Sequence, residues 1–185
     1  MTGSPAAMDA APRGAEGFRL GNEILAFRFV ATLSERRGDP VERIPTPERL
    51  GAWLSANALG EPGLPVSEAL LREARDLREA IHRAGTAIAG GGVPDPSDEA
   101  LLNRWSLRHR ARLVLDGGRA RWRLPDTDPA RAALAVVALD AIATLGGQGD
   151  GVIKRCEQAT CGGSSWMPAV AGGGGGARWR RAATR

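Results

Sequence analysis

The chain has 185 residues, 43% of them hydrophobic and 25% charged, enough for one folded core; with no Tyr and three Phe, that core must rest on Leu, Ala, Val and Ile. The net charge of +4 is unevenly spread: from Lys154 to Arg185 six cations face Glu157 alone, a net +5, which leaves −1 for everything before. The longest apolar run, Ala130 to Leu145, is broken by Arg131 and Asp140 and too short to span a bilayer, and residues 1–17 show no apolar leader, so a cytoplasmic protein with reduced thiols is expected.

Residues 1–17 are small, polar and Pro-rich and are read as an unstructured N-terminus. A helical body with one hairpin is expected over 18–150, and a basic tail over 151–185, which makes the fold class mainly α with one β-hairpin (α+β). Glu23 to Leu33 carries Ile24, Leu25, Phe27, Phe29, Val30 and Leu33 at spacings that fit a buried helix. Thr46-Pro47-Glu48 predicts a helix start: a capping hydroxyl, a proline at the first helical position and an acid at the positive end of the dipole. That helix runs to about Leu59 and buries Leu50, Trp53 and Leu54.

Ser67 to about Ile88 is the longest helical pattern, with Leu70, Leu71, Ala74, Leu77, Ile81 and Ile88 as its apolar stripe and Arg72, Arg75, Asp76, Arg78 and Glu79 on the opposite face. Asp95-Pro96-Ser97 opens a short helix through Trp105. Arg110 to Leu115 and Arg119 to Leu124 flank Asp116-Gly117-Gly118 as a hairpin, with Leu113, Leu115, Ala120, Trp122 and Leu124 on the face expected to be covered. Asp128-Pro129 starts a last helix to Leu145, apolar on nearly all sides and therefore central, and Gly146 to Gly151 reads as a flexible break.

No enzyme constellation is visible. His82 and His109 stand far apart without a nucleophile or metal-ligand spacing, and both are expected at the surface. Asp76 and Glu79 lie among Arg72, Arg75, Arg78 and Arg83, an arrangement for ion pairs rather than an acid–base pair. The glycine runs lack the Lys-Ser/Thr of a phosphate loop. Cys156 and Cys161, the only cysteines, are the one metal-like element. A tetrahedral zinc needs four ligands, and from Gly162 to Arg185 there is no Cys, His, Asp or Glu. Free thiols, a half-site completed by another chain and a reversible disulfide stay open. For the basic end, with Lys154, Arg155, Arg178, Arg180, Arg181 and Arg185, an anionic partner and a merely solubilising tail stay open as well.

The order of Phe27-Arg28-Phe29-Val30-Ala31-Thr32-Leu33, Thr46-Pro47-Glu48-Arg49-Leu50-Gly51-Ala52-Trp53-Leu54, Ala74-Arg75-Asp76-Leu77-Arg78-Glu79-Ala80-Ile81, Leu102-Asn103, the Asp116 hairpin and Lys154-Arg155-Cys156 through Cys161-Gly162 resembles the stress-induced transcription regulators with an N-terminal ABATE domain and a C-terminal CGNR zinc finger. The resemblance spans about residues 18–162. It implies a helical sensor-like domain followed by a small DNA-binding zinc finger, with Cys156 and Cys161 as its first ligand pair. Arg178-Trp179 matches the family's Arg-Trp element, but Arg180 stands where the third cysteine belongs and the Cys-Gly-Asn-Arg signature is missing. A GGC glycine codon read in another frame becomes CGG, for arginine, so the segment from about Gly163 is expected to be a finger displaced by a reading-frame change. The reading is therefore a transcription regulator with an incomplete finger, zinc possible on two of four ligands and weak, sequence-poor DNA contact through the basic residues. The alternative is a helical ligand-binding or protein-interaction module without a nucleic-acid role.

Overall fold

The computed structural model describes residues 17–148, 151–156 and 160–168, with Arg155 and 164–168 as backbone only. The elements in order are α1 (Leu25–Val30), β1 (Leu33–Ser34), β2 (Val41–Glu42), α2 (Pro47–Ala56), α3 (Glu68–Ala89), α4 (Pro96–Ser106), β3 (Arg112–Asp116), β4 (Arg119–Arg123), α5 (Pro129–Leu145), β5 (Gly151–Arg155) and β6 (Ser164–Pro168). The fold is mainly helical, an α+β arrangement, but it has three two-stranded antiparallel pairs among the described residues where the sequence predicts one. The N-terminus read as unstructured and the far tail lie outside the described residues.

Helices α2 to α5 each start on a side-chain cap from the residue before them. The Thr46 hydroxyl accepts the Arg49 N–H at 3.4 Å ahead of Pro47, and the Ser67 hydroxyl accepts the Leu70 N–H at 3.1 Å. Helix α1 has no such cap, because Ile24 precedes it. Asp140 supplies one from α5: its carboxylate accepts the Ala26 N–H at 2.8 Å. An acid inside an apolar helix thus closes the orphan end of its neighbour. Its half-burial pushes the Asp140 carboxyl above the ordinary range.

Helix α5 is covered on most sides, with Ala130, Ala132 through Ala138 and Ala141 buried, as an all-round apolar pattern requires. Helix α3 packs against α1, α2, α4 and α5 and also meets β5 and β6. Its stripe Leu70, Leu71, Ala74, Leu77, Ile81 and Ala84 joins Phe29 and Trp53, whose rings lie 5.0 Å apart, in one core. Burial of each large side chain there contributes about 1.5–3 kcal/mol.

Three expectations are corrected. Arg78 is not on the exposed face of α3: its side chain is 4% exposed and makes paired bonds to the Glu42 carboxylate at 2.8 and 2.9 Å, with a further bond to the Thr32 hydroxyl. A charge can be buried there because its partner is delivered by β2. His82 and His109 are half-buried rather than at the surface. His109 meets Trp122 edge-on at 5.8 Å, and His82 is taken up by the cysteine segment described below. The hairpin face read as covered is covered only at its base: Trp122 and Leu124 pack on the core, whereas Leu113 and Leu115 are 59% and 81% exposed.

Candidate functional site

The cysteines sit at the closed end of the β5–β6 hairpin. Gly151 pairs with Pro168 and Arg155 with Ser164, and the ladder runs one step further through the Cys156 N–H to the Gly163 carbonyl at 2.8 Å. The stretch read as a basic tail beyond a flexible break therefore carries a strand pair on either side of the cysteines, which themselves lie outside the strands. Ile153 points into the core, while Lys154, the next residue, is exposed. The period of two in a strand puts them on opposite faces.

Both thiols are half-buried and side by side. Burial pushes the Cys161 thiol up, and the Cys156 side chain bonded to it pushes it further, against the Gly163 N–H that hydrogen-bonds its sulfur. The backbone N–H favours a thiolate, while burial and the neighbouring thiol keep the proton on.

The hairpin end is docked on the body through the turn between β1 and β2. The Arg37 N–H donates to the Thr160 carbonyl at 3.0 Å and the Arg36 N–H to the Cys161 carbonyl at 3.3 Å. The Thr160 hydroxyl donates to Glu35 at 2.7 Å, and this bond, with one from Arg19, holds the Glu35 carboxyl below its ordinary range. From α3, His82 Nε2 lies 2.7 Å from the Gly162 carbonyl. Desolvation lowers the His82 pKa, the Gly162 bond opposing it. A neutral imidazole carrying its proton on Nε2 fits that bond.

Gly162 is required at this point. Its φ is +62°, and a Cβ there would stand 3.1 Å from the Arg36 Cβ and 3.3 Å from the Arg37 Cγ. Beneath the contact runs an ion-pair chain: Arg36 bonds Glu79 at 2.6 Å, Glu79 bonds Arg78 at 2.9 Å, and Arg78 bonds Glu42. Burial alone would raise Glu42 and Glu79. For Glu42 the Arg78 hydrogen bond, the Ile44 N–H and the Arg78 and Arg75 charges together outweigh it; for Glu79 the hydrogen bonds and charges of Arg36 and Arg78 do so, and both stay below the ordinary carboxylate range.

Zinc fits this arrangement only in half. Two adjacent thiols with a backbone N–H on one sulfur are suitable ligands, but among the described residues no group of three or more Cys, His, Asp or Glu could hold a metal. His82, the nearest imidazole, is engaged by the Gly162 carbonyl. Of the predicted basic residues, Lys154 is exposed on β5 and Arg155 follows it on the same strand. Arg178, Arg180, Arg181 and Arg185 lie outside the described residues. Of the site's body-side residues, Glu35, Arg36 and Arg37 are absent from the sequence reading, and His82 enters it only as a surface residue. One signal was present: Arg78 and His82 follow Leu77 and Ile81 by one residue each, along the edge of the α3 stripe.

Among the described residues no helix is long and apolar enough to cross a membrane. No curated protein and no solved structure matches the chain. Residues 23–148 match the model of the ABATE family, described as "Putative stress-induced transcription regulator", a match that ends three residues before β5. It covers most of the chain, and the chain belongs to that family.

Proposed function

We propose that this chain is a transcription regulator that contacts DNA through its basic C-terminal end, with the helical body as the platform that holds that end. The observation that carries the reading is the docking of the Cys156–Cys161 hairpin on α3 and the β1–β2 turn in a chain of this family. A segment joined to the body by two backbone hydrogen bonds and a half-buried imidazole is part of the folded unit, so cations beyond it start from a fixed point. Lys154, Arg155, Arg178, Arg180, Arg181 and Arg185 supply phosphate attraction; without a folded reading head they carry little base specificity. Zinc enters only as an ion on Cys156 and Cys161, two of the four ligands a structural site takes.

The test is binding of duplex DNA by the full chain across a salt series, with zinc content measured on the same sample. Affinity that falls steeply with salt, and falls further when the six cations are changed to Gln, supports the reading. Absence of duplex binding at low salt refutes it. About one zinc per chain contradicts the incomplete finger, and about half that amount assigns the ion to two chains sharing four thiolates.

A groove of about 330 Å³ favours the second reading, a ligand-binding module. It is lined by Ile88, Pro94, Leu102, Ile142 and Leu145, with Asn103 at its side. A small apolar ligand that protects the body from unfolding in a chain that does not bind DNA would establish it.

A further inference from the structure

We propose that the β3–β4 ribbon is a second contact for duplex DNA, its arginine face lying along the phosphate backbone; the proposal rests on the DNA-binding reading above. The pairing Arg112↔Arg123, Val114↔Arg121 and Asp116↔Arg119 puts four arginines and one aspartate on one face of a two-stranded ribbon. Leu113, Leu115, Ala120 and Trp122 take the other. Because Trp122 and Leu124 at the base pack on the core, the ribbon stands on the body by its apolar side and turns its arginines outward. Arg112, Arg119, Arg121 and Arg123 are all exposed.

Internal pairing does not use up this charge. Arg123 bonds Asp116 at 3.1 Å, and Arg121 approaches the same carboxylate only to 3.9 Å. Among the described residues the Arg112 and Arg119 side chains have no hydrogen-bond or ion-pair partner. The face keeps a surplus of three positive charges.

The arrangement also works against the ribbon itself. Like charges directly opposite across strands are destabilising, and Arg112 faces Arg123. A lone two-stranded ribbon is marginal in water to begin with. The turn is well made: Gly117 and Gly118, at φ +56° and +77°, give the two-residue connection that matches strand twist. Good turn chemistry beside a repulsive cross-strand pair marks a local rule broken where an external anion would repay it.

Duplex DNA fits by charge and by shape. Arg119, Arg121 and Arg123 rise about 7 Å per step along β4. Phosphates advance about 3.4 Å per nucleotide along one strand, so each arginine has a phosphate in reach. The major groove admits a two-stranded ribbon. A second copy docking edge to edge would bring arginine against arginine, which disfavours it.

The experiment uses the full chain and a short labelled duplex, with anisotropy read from about 50 to 200 mM KCl. In the R112Q/R119Q/R121Q variant the slope of log affinity against log salt should shrink by about 2.7, three phosphates at about 0.9 each. The R112K/R119K/R121K variant should keep the slope, and circular dichroism confirms that both fold. A slope unchanged by the Gln variant, while the unaltered chain binds the duplex, overturns the ribbon contact and leaves the DNA reading standing. An unchanged slope with altered sedimentation assigns the face to a second copy and also overturns it. An unaltered chain that fails to bind duplex, or binds only vesicles rich in phosphatidylserine, overturns both.

Discussion

Replacing Gly162 by Ala should release the cysteine hairpin from the body without unfolding the body. An alanine at φ +62° costs about 1–2 kcal/mol in backbone strain. Its Cβ would also press on the Arg36 Cβ at 3.1 Å and the Arg37 Cγ at 3.3 Å, and both belong to the turn that holds the hairpin. That strain is relieved by undocking, so the open population should rise roughly 5–30-fold. The readout is hydrogen exchange at the Arg36 and Arg37 amides, which in the docked state donate to the Cys161 and Thr160 carbonyls. Their exchange should accelerate by the same factor while amides of α5 stay protected. Gly117→Ala is the control: it sits at φ +56° with nothing within 4 Å of a Cβ, so it carries similar strain far from the turn. Unchanged exchange at Arg36 and Arg37 in the Gly162 variant would refute the assignment of Gly162 as the clamp.

Arg78→Met leaves Glu42 without its paired donor; because Glu42 keeps 28% exposure the cost should be about 2–3 kcal/mol, below the range for a fully buried pair, and adding Glu42→Gln should recover part of it in urea unfolding. Glu42 and Glu79 have folded pKa values below their unfolded ones, so the unfolded chain binds more protons in that window. Their stabilisation is complete above the unfolded value of about 4.3 and disappears as pH falls through the folded values, so the E42Q/E79Q variant should flatten the acid limb of a urea-midpoint profile. Thr46→Ala removes the cap of α2 and should cost about 1 kcal/mol in the same assay, with Thr46→Ser largely restoring it.

The local signals read well. Thr46-Pro47-Glu48 and Asp95-Pro96-Ser97 start α2 and α4, the stripe from Leu70 to Ile81 lies in the core, and the Gly117-Gly118 turn joins β3 and β4. Each depends on residues within a turn or two of one another. What was illegible depends on distance along the chain. Arg78 reads as solvent-facing until Glu42, 36 residues earlier, is placed beside it. His82 reads as a surface residue because its partner, Gly162, is 80 residues away. Strands β1 and β2 are two residues each, too short for any period to show. Leu113 and Leu115 carry the alternation of a half-covered strand, but among the described residues no second layer lies over the ribbon tip, so pattern alone overstated their burial.

The clamp at Gly162 has a thermodynamic corollary. Docking joins the thiols to the turn at 35–37 and to His82 on α3, so occupancy of one end and order at the other share a single free energy. Such coupling is reciprocal. A thiol-directed reagent or metal that prefers the docked hairpin must stiffen the body by the factor by which a stiffened body tightens its hold on that ligand. The two factors can be measured separately, one by unfolding the body and one by titrating Cys156 and Cys161, and their equality is a closed cycle with no adjustable constant.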